Sequence, residues 1–351
     1  MKPTFFSWLL WPLAGLYGLI MRLRNAAFSY GWRRIHRPAV PTISVGNLST
    51  GGTGKTPVAE WLLAYLGSQG LRVAYLSRGY GRRTKGYLRV DPAQGGAAQF
   101  GDEALQVAQH FPRVPVAVCE DRVLGVQRLA RDAGAELVIL DDAMQHRRIG
   151  RNLEIVVIDA QRLPTRDWLL PMGRLREPRI SLRRASLLLV NKLYDPARLP
   201  AVQAELARYD RPLVFARPVA RHLQHWQTGQ RIPLAQLAGQ PVLLLAGIGN
   251  PAAFRRQVED LGAEVLATHW YRDHRAYRPA DLARLRAGLA AQPSAWAITT
   301  DKDLARLAGA DWVAPFADLP LYGLGIELAF WGGEAQLRAA LQPWRRGDSP
   351  A

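Results

Sequence analysis

The sequence predicts an α/β fold: a mostly parallel sheet with helices on both faces, arranged as two lobes and preceded by an N-terminal membrane-contact helix. Three observations carry this. Short apolar runs alternate with stretches of helical periodicity. A glycine-rich loop follows the first such run and opens a helix. Apolar strand-like runs begin again beyond an irregular segment at 209–240. A length of 351 residues suits two domains of ordinary size.

Between Lys2 and Arg22 there is no charge, and the interval is rich in Phe, Trp, Leu and Tyr; Arg22, Arg24, Arg33, Arg34 and Arg37 follow. A secretory signal carries its charge before the apolar run, whereas here it comes after. A spanning helix needs about 17–25 apolar residues. This run is at the lower edge, and Ser7, Pro12, Gly15 and Gly18 weaken a simple span. Aromatic residues with arginines just beyond suit the lipid headgroup boundary. Residues 3–21 are therefore expected to contact a membrane, with the following chain on the cytoplasmic side; the alternative is a helix packed on the protein's own body.

Residues 41–47 read as a buried strand. Residues 56–66 are helical, with Val58, Ala59, Leu62, Leu63 and Leu66 on one side, and 72–78 form the next strand. Residues 79–100 are an irregular excursion. Then come a helix (101–110), an extended run (114–119), a helix (122–133), two strands ending in acids (136–142 and 153–159) and another strand (185–192). The second series is a strand from 241, a helix at 252–261, a strand at 263–270, a helix near 279–291 and a strand at 294–303. The expected organisation is a membrane-associated segment at 1–37, a P-loop domain at 38–208, a linker at 209–240 with room for two strands, a smaller α/β domain at 241–342 and a tail at 343–351.

The formal charge of +17 favours anionic partners: nucleic acid, an acidic membrane face or phosphorylated molecules. The single cysteine, Cys119, excludes an internal disulfide and any multi-cysteine metal site, which points to a reducing compartment; after Val116-Ala117-Val118 it reads as a core residue.

The strongest chemical signal is STGGTGKT, residues 49–56. Ser49, Thr50, Gly51, Gly52, Thr53 and Gly54 form a loop whose backbone N–H groups can converge on a phosphate at a helix N-terminus. Lys55 can reach the β- and γ-phosphates of ATP, and the Thr56 hydroxyl can join Mg2+. Ser49 stands where the usual pattern has glycine. Such a loop needs an acid for the metal at the end of a neighbouring strand, and Asp141-Asp142 fit; simple solvation of a strand end is the alternative. His146 lies close by in sequence, in a supporting or a structural role. At the start of a helix, Asp102 and Glu103 read either as acids facing the helix dipole or, for Asp102, as a general base. Asp273-His274 follow a strand of the second series, and an Asp–His pair can orient an imidazole for proton transfer. Residues 173–184 carry five arginines, suited to anion binding or to a solvated basic loop. Asn191-Lys192-Leu193-Tyr194 lacks the fourth-place Asp of a guanine-reading motif, which counts against a GTPase.

In order, SVGNLSTGGTGKTP, GDEALQVA, LDDAMQH, LPMGRLREP, AGIGNPAAF, YRDHRAY and TTDKD resemble the tetraacyldisaccharide 4′-kinase family, over nearly the whole chain. The resemblance implies two P-loop-like lobes joined by a small two-stranded linker, and ATP-dependent phosphorylation of the 4′-hydroxyl of a tetraacylated glucosamine disaccharide 1-phosphate. The product would be lipid IV-A, made at the cytoplasmic face of the bacterial inner membrane by a peripheral or monotopic enzyme. It implies Asp102 as base, His274 supporting it beside Asp273, Thr56, Asp141, Asp142 and Glu103 around Mg2+, and Arg176 and Glu177 near phosphate or metal. The glycolipid and an anionic membrane surface are the expected partners, and nucleic acid is not. Ala143 stands where the family usually has glycine after the two acids, and a changed turn is expected there. Two rival readings are a membrane-associated ATPase that drives assembly or transport, and a nucleic-acid-dependent NTPase.

Overall fold

The computed structural model describes residues 10–273, 275–308 and 312–344. In chain order it comprises α1 (Trp11–Ser29), β1 (Thr42–Gly46), α2 (Lys55–Ser68), β2 (Val73–Ser77), β3 (Leu88–Arg89), α3 (Ala97–Phe100), α4 (Asp102–His110), β4 (Val116–Val118), α5 (Arg122–Ala133), β5 (Leu137–Asp141), β6 (Leu153–Asp159), β7 (Leu187–Asn191), α6 (Leu199–Leu206), β8 (Leu213–His225), β9 (Arg231–Pro233), β10 (Pro241–Ala246), α7 (Pro251–Asp260), β11 (Glu264–Trp270), α8 (Pro279–Ala290), β12 (Trp296–Thr300), α9 (Asp301–Ala308), β13 (Leu321–Gly332) and α10 (Glu334–Leu341), with short 3-10 turns between them.

The chain divides into two compact units. The first comprises Met1–Arg78, Cys119–Pro218 and Leu328–Ala351; the second comprises Gly79–Val118 and Val219–Glu327. This differs from the boundaries expected from sequence. Residues 79–118 leave the first series of strands to join the second unit, and the chain returns to the first unit at Leu328. Periodicity marks elements, but membership in a core is decided by contacts between residues far apart in sequence, and the long strands β8 and β13 each run from one unit into the other.

In the first unit the strands lie in the order β7-β6-β1-β5-β2, all parallel, with the start of β8 beside β7. All residues of β1, β2, β5 and β7 are buried, as expected for strands covered on both faces. Helix α5 is capped by Asp121, whose side chain accepts from the Val123 and Leu124 amides, and stops at the left-handed Gly134. Leu48, Met144, Val156, Ile158, Leu188 and Val190 belong to one buried cluster under the loop that follows β1. Because β1 is flanked by β5 and β6, the chain leaves its carboxyl end at a switch in strand order, where open α/β sheets bind ligands.

Helix α1 also belongs to the first unit. Ala14, Gly18 and Phe28 are buried, while Trp11, Leu13, Leu16, Leu19, Ile20 and Leu23 are exposed. The buried face is anchored: Tyr17 donates to the Arg176 carbonyl (2.8 Å) and Asn25 to the Glu177 carboxylate (2.7 Å). The expected contact segment was 3–21; its first part lies outside the described residues, and the helix continues through Arg22 and Arg24 to Ser29. Among the described residues, no helix is long and apolar enough to cross a membrane.

In the second unit β11, β10, β12 and β13 are parallel neighbours, with a register shift opposite Val242 and Leu243 where β11 carries one extra residue, Leu266. β8 pairs antiparallel with β9 through His222, Leu223 and Gln224, and β3 pairs with β4. Trp226, Leu243, Leu245, Leu282, Leu285 and Leu321 share one buried cluster.

Candidate functional site

The glycine-rich loop connects β1 to α2, which begins at Lys55. Gly51 (φ 106°) and Gly54 (φ 85°) take backbone conformations that side chains rarely allow. At Gly54 a Cβ would also meet the Asn191 amide at 2.2 Å. The loop is braced from three directions. Asn191 Nδ2 donates to the Thr53 carbonyl (3.1 Å). Asn47 Nδ2 donates to the Thr53 hydroxyl (3.0 Å). The Thr50 amide donates to the Arg174 carbonyl (2.8 Å), and the Arg176 amide to that of Leu48 (2.8 Å). Lys192, directly after Asn191 at the carboxyl end of β7, reaches the Gly52 carbonyl and pairs with Asp159 at 2.8 Å.

Asp141 ends β5 and is buried; its neighbour Asp142 turns into the left-handed region (φ 46°). Asp142 therefore makes the unusual turn, and Ala143 is buried without a positive φ. The left-handed region is tolerable for Asp. The Asp142 carboxylate takes the Arg176 fork at 2.9 and 2.7 Å and lies 3.6 Å from Lys55 Nζ. Burial pushes this carboxyl up, but the Arg176 hydrogen bonds and the Lys55 and Arg176 charges outweigh it and hold it at about 2. The Arg122 guanidinium, almost fully buried, donates to the carbonyls of Cys119 (2.6 Å) and Asp141 (3.2 Å). His146 is held down at about 4, first by burial and then by the Arg122 charge, so its ring is neutral at physiological pH.

Thr56 and Asp141 offer the hard oxygen donors that Mg2+ prefers, while Asp142 is engaged by two cations. Among the described residues, no three His, Cys, Asp or Glu side chains gather closely enough to hold a metal by themselves. These donors suit Mg2+ in kind, and further oxygen ligands from outside the chain would be needed to complete such a site.

Arg176 and Glu177 part company. Arg176 faces the loop, whereas Glu177 is fully buried, bonded to Arg184 (2.7 Å) and to Asn25 of α1. Burial alone would raise the Glu177 carboxyl; Arg184, Asn25 and Ser181 together bring it below the usual carboxylate range. Its geometry ties α1 to the first unit and does not point it at the loop.

Asp102, Glu103 and Asp273 belong to the second unit. Gly101 (φ 84°) is the N-cap of α4, so Asp102 is in its first turn and is not the cap itself. The Asp102 carboxylate turns to Arg306, and Asp273 meets Lys302 at 3.2 Å. His274 lies outside the described residues.

A family model described as tetraacyldisaccharide-1-P 4'-kinase matches residues 6–344. The chain belongs to this family. Proteins named tetraacyldisaccharide 4'-kinase are similar to it along most of its length: that of Chlorobium limicola is 36% identical over 95% of this chain and 96% of its own. That of Syntrophotalea carbinolica is 37% identical over 92% and 89%. Among solved structures, LpxK from Aquifex aeolicus in complex with ATP superposes with a TM-score of 0.78 at 27% identity, covering 97% of this chain and 99% of that one. The fold is that of a P-loop kinase, with a mostly parallel sheet.

For this tetraacyldisaccharide-1-P 4'-kinase family member, the loop, Lys55 and the two acids are local patterns in the sequence, whereas the residues that brace them are not. Asn191 and Lys192 drew notice only as a failed guanine motif, and their position at the end of β7 was the available signal. Asn47, Arg122 and Arg306 carried no local signal strong enough to single them out.

Proposed function

We propose that this protein transfers the γ-phosphate of ATP to the 4′-hydroxyl of a tetraacyldisaccharide 1-phosphate, giving lipid IV-A for lipid A synthesis. The observation that carries the reading is the braced loop of residues 49–56, with Lys55 at the start of α2 beside Asp142, in a chain of this family. The loop amides of Gly51, Gly52 and Gly54 bind and orient the phosphate chain, and Lys55 draws charge from its β- and γ-oxygens. Thr56 and Asp141 would hold Mg2+, which would supply positive charge to the phosphate oxygens. Arg176 fixes Asp142 so that its charge faces Lys55. Asp102 accepts the proton of the attacking 4′-hydroxyl. His274 and Asp273 support that base, as the family motif implies, and Glu103 is assigned to the metal only by the same resemblance.

The acceptor is an amphiphile, and α1 suits one. Its exposed face repeats at helical spacing through Leu13, Leu16, Ile20 and Leu23, next to Trp11, while its other face is pinned to the first unit. At about 1.5 Å per residue it is long enough to lie along a headgroup layer, with Arg22, Arg33 and Arg34 beside it. This supports monotopic attachment to an anionic membrane surface, the cytoplasmic face of the inner membrane. Because Tyr17 and Asn25 hold the buried face, deleting the helix would damage the body of the protein. The substitutions Leu16→Glu and Leu23→Glu leave that face alone and are expected to lower binding to anionic vesicles at least tenfold, by the roughly 1.5–3 kcal/mol each leucine contributes when buried. Vesicle binding unchanged in the double variant would refute this attachment.

The reaction itself is tested by incubating the protein with ATP labelled in the γ-phosphate and a tetraacyldisaccharide 1-phosphate. The label is expected in the lipid fraction. Label released as inorganic phosphate at one rate with or without lipid would favour the ATPase reading.

A further inference from the structure

Arg306 lies in the second unit and has no part in the roles described so far. It stands on α9, which starts directly after β12, one helical turn beyond Asp303. Only 4% of its side chain is exposed. The guanidinium is shared among three elements. Its Nη1 donates to the Gly247 carbonyl after β10 (2.8 Å) and to Asp303 (2.8 Å). Its Nε donates to Asp102 Oδ2 at the start of α4 (2.8 Å), and Nη2 lies 2.6 Å from the same oxygen. Nη2 is also 3.8 Å from Asp273, in the loop after β11, which Lys302 holds from its other side at 3.2 Å.

Asp303 makes this anchor rigid. Its side chain is fully buried; it accepts from the Gly247 amide (3.1 Å) and the Thr300 hydroxyl (2.7 Å), and through Arg306 it fixes the guanidinium plane. Burial lowers the basicity of Arg306, but Asp102 and Asp303 more than offset it, so the cation persists. A guanidinium held in this way presents its fork in one direction. The Asp102 carboxylate then cannot choose freely among rotamers: Arg306 sets the rotamer, and the turn at Gly247 sets Arg306.

We propose that Arg306 is a positioning residue for phosphoryl transfer: anchored by Asp303 and the Gly247 carbonyl, it holds the Asp102 carboxylate in the orientation from which it meets the acceptor hydroxyl. This rests on the reading of Asp102 as the base. Removing the guanidinium releases the base without touching the phosphate loop, and misplacement by about an ångström costs on the order of 100-fold in rate.

The test uses the full chain in detergent with ATP and the tetraacyldisaccharide 1-phosphate. Arg306→Gln is expected to lower kcat by about 100-fold, with the KM for ATP within about twofold. Arg306→Lys keeps the charge and loses the fork; it is expected to recover part of that loss. Should Arg306→Gln fail to fold, as judged by its melting transition, Arg306→Lys carries the test, with a loss of about tenfold in a protein that melts normally. Asp102→Ala and the double variant Asp102→Ala/Arg306→Gln complete a cycle. If Arg306 acts through Asp102, the second substitution adds no further loss to the first. A folded Arg306→Gln or Arg306→Lys with undiminished kcat, or losses that multiply in the double variant, overturns the positioning role. An Asp102→Ala variant that keeps full kcat overturns instead the base reading on which it rests.

Discussion

Two carboxylates, one in each unit, are gripped by an arginine, and the grips differ. In the first unit Asp142 faces Arg176 and Lys55 beside a loop whose Thr53 hydroxyl and carbonyl are held by Asn47 and Asn191 and whose Gly52 carbonyl is held by Lys192. In the second unit Asp102 faces one guanidinium that is itself caged by Asp303 and a backbone carbonyl. The first arrangement places net positive charge where a triphosphate must bind. The second balances charge around an acid and fixes its direction. One is built to hold an anion, the other to aim a carboxylate.

The largest expected effect comes from removing the cation of the first arrangement. Lys55→Met is expected to lower phosphate transfer by about 10²–10³-fold, the usual scale for one preorganised charge at a phosphoryl group, read as labelled lipid formed per minute. Transfer at the wild-type rate would break the comparison, since the loop would then not be the phosphate site. Gly54→Ala addresses the brace in place of the charge. The left-handed backbone costs a side chain roughly 1–2 kcal/mol, and the Asn191 amide must also move. The variant is expected to unfold at lower temperature and to bind ATP more weakly. Equal melting temperatures would mean that the loop relaxes at no cost.

The smallest effects are those of pH, and both belong to the first unit. His146 is held at about 4 in the folded protein, below its ordinary value of about 6.5. The unfolded chain takes up that proton first, so stability declines as pH falls from about 6.5 towards 4 and then levels for this group. His146→Gln is expected to flatten that decline in melting temperature between pH 7 and 4. Asp142 adds a dependence of the same sign at lower pH. Its folded value of about 2 is below the ordinary carboxylate value, so it contributes stability above about pH 4 that is lost as pH falls through about 2. In Arg176→Gln this acid limb should move to higher pH, because the hydrogen bonds that depress the carboxyl are gone.

How much of this was legible in the sequence follows from the range of each interaction. The loop, the start of α2 and the strand-end acids are local patterns, and residues 49–56, 141 and 142 stand where the spacing put them. At the turn after the acids it is Asp142 that takes the positive φ, and nothing in the local sequence marks that residue out for it. The divided first unit was not legible at all, since nothing in residues 79–118 announces which core they join. β13 escaped notice because glycines interrupt its apolar run. Gly323 and Gly325 are there to admit the side chains of Leu304 and His222, which would approach a Cβ to 2.6 and 2.5 Å. Arg306 meets Asp102 across 204 residues, and within its own segment it reads as one more basic residue on an amphipathic helix.

The division of labour is tested most directly with Asp102→Ala, by measuring ATP affinity at equilibrium and phosphate transfer in a single turnover on the same preparation. The expected result is ATP binding within about twofold of wild type and transfer slower by about 10²–10⁴-fold, the usual contribution of a general base. Transfer at the wild-type rate, or transfer and ATP binding lost together in a folded protein, would contradict it.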